Sequence, residues 1–297
     1  MRLYMKIPYR RRCWYLLSGF TVACSGARSS APGASPPQPA SSVPQPVVPV
    51  APTAGASSFK YAPGMIRYRI SRSAAIETTG LDSQTHREIS TNITHELLTL
   101  EPTDQAMNFT AVIDTSATVT QGLIGSVQSV QLPTQISGSF ADSGLTINAD
   151  GTTSKCNTIS SMLVTDLHNL LVPFPEGLST GVSWRDSVNV QGCQAGIPTS
   201  AHTDRSYIVS GDASYEGNPV LVILRKDTTH AKGEGGLQQH RVSIDATGTG
   251  TALYYLDTGT GRVVRLVVDQ IFDLGVTASA RRSQFKQNSK QEFQILP

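Results

Sequence analysis

The chain has 297 residues, of which 24 are Lys or Arg and 22 are Asp or Glu, so its formal net charge is +2. The charge is unevenly distributed, because six basic residues precede residue 59 whereas the first acidic residue is Glu77. The remaining 18 basic and 22 acidic groups give residues 59–297 a slight negative balance. Binding of nucleic acid needs a net or clustered positive surface, so these values argue against it.

The first 23 residues have the organisation of an export signal. A basic stretch precedes a short apolar run that is too short to span a membrane. The tetrapeptide TVAC at residues 21–24 resembles the lipobox of bacterial lipoproteins, in which the cysteine is acylated, typically with palmitate, and becomes the first residue after cleavage. The resemblance implies a signal peptide over residues 1–23 and lipidation of Cys24. The alternative is a secreted protein that is cleaved after Ala27.

Residues 24–58 have the composition of a tether. Residues 25–58 hold eight of the 17 prolines of the chain, together with many Ala, Ser and Val residues. Such a segment buries too little apolar surface to fold, and its prolines favour an extended conformation of ~3.1 Å per residue. Ser25 stands where an Asp would signal inner-membrane retention in enteric-type lipoproteins. By this resemblance we expect an outer-membrane lipid anchor and a domain over residues 59–297 that faces the periplasm.

Alternation of apolar and polar residues dominates the chain after residue 59, as in Ile66, Tyr68 and Ile70. A period of two predicts β-strands, and short turn-rich connections predict antiparallel hairpins. We therefore expect one long meander, in which strands 219–230 and 262–272, apolar on both faces, are covered on both sides. The predicted strands cover residues 65–78, 86–100, 106–118, 127–140, 143–149, 182–191, 203–213, 219–230, 240–256, 262–276 and 281–295.

One segment, residues 158–171, has helical periodicity, because its apolar residues recur at spacings of three and four. Asn157 or Thr158 is the expected N-cap, and Pro173 ends the helix. The helix therefore presents a single apolar stripe to the sheet. The stripe consists of Ile159, Met162, Leu163, Leu167, Leu170 and Leu171.

Two of the four cysteines are left for the folded domain. Cys13 is removed with the signal peptide and Cys24 is the proposed acylation site, so Cys156 and Cys193 remain as a pair in an oxidising compartment. We expect a disulfide that pins the start of the helix and leaves its Pro173 end freer. The alternatives are two buried free thiols or a metal site, and no second Cys or His lies at ligand spacing to support the latter.

The layout as a whole resembles the periplasmic lipoprotein-carrier superfamily of LolA-like and LppX-like half-barrels. The resemblance rests on the export signal, the proline-flanked helix end at residues 170–175, the G-x-x-W-x-D sequence at residues 181–186 and the Asp257-x-Gly259 turn. It covers residues 60–297. It implies a mainly β fold, a curved antiparallel sheet of about eleven strands that forms a half-open barrel, with one central amphipathic helix as lid or plug.

The same resemblance implies a binding function for the concave face. An acyl chain buried there gains about 0.8 kcal/mol per methylene, without any polar recognition. The apolar stripe of the helix would then be the inner face of a lid, with Trp184 at the mouth of the cavity and the Pro173 end as a gate. The alternative is that the stripe fills the half-barrel as ordinary core and that Trp184 anchors the core.

Several motifs of known catalytic chemistry are absent from the sequence. They are H-E-x-x-H, C-x-x-C, the P-loop and G-x-G-x-x-G. Asp166 and His168 are two residues apart on the helix and hence on different faces. We expect no enzyme activity, no cofactor and no metal. The charged residues Arg281, Arg282, Lys286 and Lys290 predict a solvated edge strand.

Two hypotheses follow. The first is an envelope lipoprotein that is not an enzyme and binds a lipid or other long apolar ligand in the half-barrel. The second is a structural or protein-interaction module of the cell envelope with a dry core. Both attach to a membrane through the N-terminal lipid, and the second requires an envelope protein as a partner.

Overall fold

The structure is a computed structural model that describes residues 59–79, 85–121, 133–148, 156–194, 196–237, 240–278 and 281–297. The predicted signal peptide, Cys24 and the tether lie outside the described residues. So do residues 127–132 of the predicted fourth strand. The domain from residue 59 onward is therefore the part of the chain to which the following description applies.

Eleven strands and one helix occur in the described part of the chain. They are β1 (Gly64–Thr79), β2 (Thr85–Pro102), β3 (Met107–Gln121), β4 (Thr134–Ala141), β5 (Gly144–Ile147), α1 (Thr158–Leu170), β6 (Ser183–Gln194), β7 (Ile197–Tyr215), β8 (Asn218–Leu237), β9 (His240–Asp257), β10 (Arg262–Ala278) and β11 (Arg281–Leu296).

The predicted fold class is confirmed. All eleven strands form one antiparallel sheet that curls through 301° into a half-barrel. The described residues also include one helix, α1. Most strands are longer than alternation alone predicts, although β5 is shorter, and β7 begins at Ile197 rather than at residue 203. The added residues are mostly small and polar, and their partners in β6 and β8 keep them in the hydrogen-bonded ladder.

The strand order corrects the expectation of one uninterrupted meander. The order is β5-β4-β3-β2-β1-β11-β10-β9-β8-β7-β6, so the first and last strands pair in the middle of the sheet. Two meanders are thus joined by β1 and β11. The strand that carries Arg281 and Lys290 is central, not an edge strand, and its charges lie on a paired strand.

Helix α1 follows edge strand β5 and precedes edge strand β6, and it contacts β6, β3 and β4. It therefore spans the gap between the two ends of the curled sheet. Its N-cap is Asn157, whose side-chain oxygen accepts hydrogen bonds from the backbone N–H groups of Ile159 (2.9 Å) and Ser160 (3.3 Å). Such a cap satisfies two of the otherwise unpaired donors of the first turn.

The predicted disulfide is present between Cys156 and Cys193. Their Cα atoms are 5.1 Å apart, within the range of native disulfides. The bond joins the residue before the N-cap of α1 to the end of β6. It fixes the start of the helix to the edge of the sheet, as the sequence predicts.

The other end of α1 is held as well, which corrects the expectation of a free Pro173 end. The Tyr61 hydroxyl donates to the carbonyl of Leu170 (2.8 Å) and accepts from the backbone N–H of Val172 (2.9 Å). The ring of Phe174 packs edge-on against Phe59 and Tyr254 at 5.3 and 5.9 Å between ring centroids. A hinge at this end would therefore break a packed aromatic cluster.

Apolar residues form three clusters. The largest fills the half-barrel beneath the C-terminal half of α1. A second, with Ile197, Ile244 and Leu274, lies on the same concave face towards the other end of the strands. A third, around Ala213, Val220 and Tyr255, lies on the convex face. There the aromatic side chains of the strands themselves cover the surface. The covering layer that we expected on the second face of strands 219–230 and 262–272 is therefore not needed.

No helix in the described part of the chain is long and apolar enough to cross a membrane.

Candidate ligand-binding concavity

The predicted ligand-binding residues fall into two groups. Leu163, Leu167, Leu170 and Leu171 are at most 2% exposed and belong to the large apolar cluster. Ile159, Met162 and Trp184 are partly buried against the same cluster. The structure thus brings all seven together on the concave side of the sheet. Their role in ligand binding stays a prediction.

Trp184 lies on β6 and is partly buried against the large apolar cluster. Its indole ring stacks on the ring of Tyr207, the residue paired with it on β7, with 4.8 Å between centroids and 1° between planes. Phe174 packs edge-on against the same indole at 6.1 Å. These contacts place Trp184 in the aromatic part of the packed interior.

Three arginines of the concave face contact polar groups of α1. Each comes from a different strand: Arg72 from β1, Arg205 from β7 and Arg225 from β8. Each is buried, with an exposed fraction of 8%, 5% and 2%. Buried guanidinium groups are costly unless paired, so their partners decide how the helix is held.

Arg72 is the centre of the first polar network. It forms a buried ion pair with Asp166 of α1 and donates to Glu96 at 3.2 Å and to Thr94 at 2.7 Å. Burial, and then the nearby charge of Asp166, raises the pKa of Glu96 well above its ordinary value of 4.5. Burial also raises the pKa of Asp166, and the Arg72 charge opposes that rise. Of the two neighbouring carboxyl groups, we therefore assign the proton to Glu96 and the negative charge to Asp166.

Arg225 is the centre of the second network. It donates to Asp227 at 2.8 Å and to the side-chain oxygen of Asn169 at 3.0 Å, and it bonds the hydroxyl of Tyr254. The Tyr254 hydroxyl in turn donates to the backbone carbonyl of Asn169 at 3.0 Å. Both the side chain and the backbone of one helical residue are therefore held.

Arg205 forms the third network, a two-pronged pair with Asp186 at 2.7 and 2.5 Å. It also donates to the backbone carbonyl of His168 at 2.9 Å. Burial, then the charge of Arg205, lowers the pKa of His168 from 6.5 to about 4. The ring of His168 is therefore neutral at neutral pH, which suits a position beside a guanidinium.

Sequence reasoning missed these networks, although a signal was present. Arg72 follows Ile66, Tyr68 and Ile70 at the same parity, so the alternation that predicts buried residues also places this arginine inside. Asp166 likewise lies three residues after Leu163, on the buried side of the helix. A charged residue at a core position calls for a partner at another core position.

A cavity of about 350 Å³ lies beside these networks on the concave face. It is bounded by the N-terminal half of α1 and by β1 and β6 to β11, and it separates the helix from the second apolar cluster. Its volume falls at the lower end of the range of about 300–1,000 Å³ for small-molecule sites. Its walls include Met162, Thr165, Ala201, Ala231, Phe272 and Gln291. Of the predicted ligand-binding residues, Met162 borders it.

Two larger depressions, of about 760 and 600 Å³, are lined mainly by outward-facing residues. In the larger one Ile271 is 48% exposed, and Asp269 and Lys290 are opposite each other on paired strands. Such solvated, charge-compensated strand surfaces are typical of the outside of a sheet. We therefore take the smaller, interior cavity as the candidate site.

Within the described residues no group of three or more His, Cys, Asp and Glu side chains is placed to hold a metal ion. The polar groups that border the cavity include hydroxyls, amides and the paired guanidinium of Arg72. This arrangement can hold a molecule that is mostly apolar and makes a few hydrogen bonds.

Comparison with known proteins gives no family. No family model matches the chain, and no curated protein matches it. Among solved structures, two mutants of the porin of Rh. blastica each cover 78% of this chain and 100% of their own at 10% identity, with TM-scores of 0.20 and 0.21. Scores this low carry no argument about fold or function.

Proposed function

We propose that this protein is a lipid-anchored envelope lipoprotein that binds a lipid or other apolar ligand in the concavity of its half-barrel and catalyses no reaction. The observation that carries the proposal is the cavity between the N-terminal half of α1 and the concave face of the sheet. The anchor on Cys24, the tether and the outer-membrane location rest on the sequence pattern of residues 1–58.

The position of the cavity supports a ligand with an apolar body. Phe272, Leu274 and Ala246 border it from the second apolar cluster, and Met162 borders it from the helix. Apolar surface that water would otherwise touch gains about 25 cal/mol per Å² when a ligand covers it. Met162 is a flexible side chain that adapts to ligands of different shape.

Binding is tested with the purified full-length protein and the neutral fluorescent probe N-phenyl-1-naphthylamine. We expect saturable fluorescence enhancement, and native mass spectrometry with solvent extraction identifies any co-purified lipid. Ala201→Phe, at the cavity wall, should abolish probe binding, whereas Ala117→Phe, on an exposed position of β3, should leave it unchanged. Protein that binds no probe and carries no lipid would contradict the proposal.

The anchor is tested separately. We expect labelled palmitate to be incorporated into the wild-type protein but not into Cys24→Ser, and the variant to leave the membrane fraction. Equal membrane association of both proteins would contradict lipidation at this residue.

A second candidate function is a structural or protein-interaction module with a dry core. The observation that favours it is the complete burial of Leu163, Leu167 and Leu170 in a packed cluster. Under this alternative the probe experiment fails while the protein remains folded. Crosslinking of the tethered protein to an envelope partner is then the appropriate measurement.

A further inference from the structure

Two buried polar atoms at the cavity wall have no hydrogen-bond partner among the described residues. They are Nε of Arg72 and the side-chain oxygen Oε1 of Gln291. The two residues lie directly opposite each other on the paired strands β1 and β11. Both side chains border the same cavity. A donor and an acceptor are thus left unpaired side by side.

Unpaired buried polar groups are rare because each carries the cost of losing its bonds to water. The other guanidinium nitrogens of Arg72 are engaged: Nη1 donates to Thr94, and Nη2 donates to Glu96 and pairs with Asp166. The Arg72 side chain is 8% exposed and is held by β2 on one side and by α1 on the other. The network therefore leaves one N–H of Arg72 free for a group outside it.

The neighbouring wall positions extend this pair into a neutral polar strip. On β11 the inward residues between Phe285 and Phe293 are Gln287, Ser289 and Gln291, and all three border the cavity. Gln270 of β10 borders it from the next strand. Amides and hydroxyls both donate and accept hydrogen bonds but carry no charge.

The charges near the cavity are already balanced. The guanidinium of Arg72 is paired with the carboxylate of Asp166, and burial raises the pKa of Glu96, which favours its neutral form. Lys290 also contributes to the wall, but it is on the outward-facing parity of β11, opposite Asp269. A ligand with a net charge would enter this region without a counter-charge, which is costly in a buried site.

We propose that the ligand of this cavity carries a neutral polar head, of the hydroxyl or carboxamide type, that donates to Gln291 Oε1 and accepts from Arg72 Nε–H, with its apolar body against Phe272 and Leu274. This inference rests on the proposed binding function and specifies its ligand class. A terminal rotation of the Gln291 amide lets it present either its donor or its acceptor to such a head. Fatty acids and alkylammonium ions are excluded by the same reasoning.

The test uses four probes with the same ten-carbon chain: decanol, decanamide, decanoate and decylammonium. Each displaces N-phenyl-1-naphthylamine from the full-length protein at pH 7.5. We expect decanol and decanamide to compete at concentrations at least about tenfold lower than the two ions, the factor that one hydrogen bond of ordinary strength supplies. Tightest binding of decanoate or decylammonium would overturn the inference.

Because an uncharged chain is also intrinsically less soluble in water, the decisive comparison is between variants. Gln291→Met keeps the size of the side chain and removes its hydrogen bonds, so it should weaken decanol and decanamide by about tenfold relative to any change in affinity for N-phenyl-1-naphthylamine. Gln294→Met, on the opposite face of the same strand, is the matched control. Gln287→Met is a second variant in case the first is unstable.

The outcomes separate the two proposals. If the fluorescent probe binds and Ala201→Phe abolishes binding, but Gln291→Met binds decanol as the wild type does, the binding function stands and the neutral-head inference is wrong. If neither the fluorescent probe nor any ten-carbon probe binds, the proposed function itself is wrong.

Discussion

Arg72, in the middle of β1, and Asp166, in the middle of α1, form an ion pair in which the carboxylate is fully buried. Removal of one partner of such a pair leaves the other charge buried and uncompensated, which costs about 3–5 kcal/mol. We therefore expect Asp166→Ala to lower the free energy of unfolding by about this amount in urea denaturation. Asp245→Ala, at an exposed position of β9, should change it by less than about 0.5 kcal/mol. Equal effects of the two substitutions would show that the pair contributes little.

The raised pKa of Glu96 predicts that the free energy of unfolding increases towards acid pH. Its pKa is raised well above 4.5 by burial and by the charge of Asp166, with Arg72 opposing. The folded state therefore holds a proton that the unfolded state releases, and this contribution is present below pH 4.5 and lost as the pH rises through the folded pKa. Glu96→Gln mimics the protonated form. We expect its stability relative to the wild type to increase from pH 5 to pH 8.

The measurement for Glu96 is urea unfolding of both proteins at several pH values, with Glu101→Gln, exposed on the same strand, as the control. A difference between Glu96→Gln and the wild type that does not vary with pH would contradict a raised pKa.

The lowered pKa of His168 predicts the opposite pH dependence, a free energy of unfolding that decreases towards acid pH. Burial, then the charge of Arg205, lowers its pKa to about 4, while Asp186 acts in the other direction. The unfolded state therefore binds a proton first, so the stability contributed above pH 6.5 is lost as the pH falls towards 4. The wild type should therefore lose on the order of 3 kcal/mol of stability over this interval, and we expect His168→Gln to lack this loss. Exposed His230→Gln is the control, and thermal unfolding between pH 4 and pH 7 is the measurement.

Reduction of the disulfide should destabilise the domain. Cys156 and Cys193 are separated by 37 residues, and a cross-link that closes a loop of this length contributes roughly 4 kcal/mol in the chain-entropy model. We expect the variant with Ser at both positions to lose stability of this order while it retains the strand signature in circular dichroism. Similar urea midpoints for the oxidised and the reduced wild-type protein would contradict this expectation.

Substitutions of Leu167 and Met162 should distinguish a residue of the packed core from a residue of the cavity wall. Leu167 is 1% exposed within the large cluster, so Leu167→Ala should cost about 2–5 kcal/mol and leave probe affinity unchanged in the folded fraction. Met162 is partly buried and borders the cavity, so Met162→Ala should cost less stability and change probe affinity more. A larger loss of binding in Leu167→Ala would instead assign the leucine to the ligand site.

The sequence alone determines the local part of this fold. Alternation in segments such as Ile66–Ile70 indicates strands, and short turns make neighbouring strands pair as hairpins. The spacing of Leu163, Leu167 and Leu170 indicates the helix and its buried side. The Cys156–Cys193 bond follows from the count of cysteines. These features depend on residues close in sequence, or on chemistry that needs no geometry.

Only the tertiary structure decides what lies far apart in the chain. β1 and β11 are the first and last strands of the described chain, and no local pattern specifies that they pair in the centre of the sheet. This pairing places Arg72 opposite Gln291, and the curl of the sheet around α1 places Arg72 beside Asp166. Strand parity predicts that Arg72 and Gln291 face inward, and helical spacing predicts the same of Asp166. Which of them meet, and the cavity between them, depends on the register and curvature of the whole sheet.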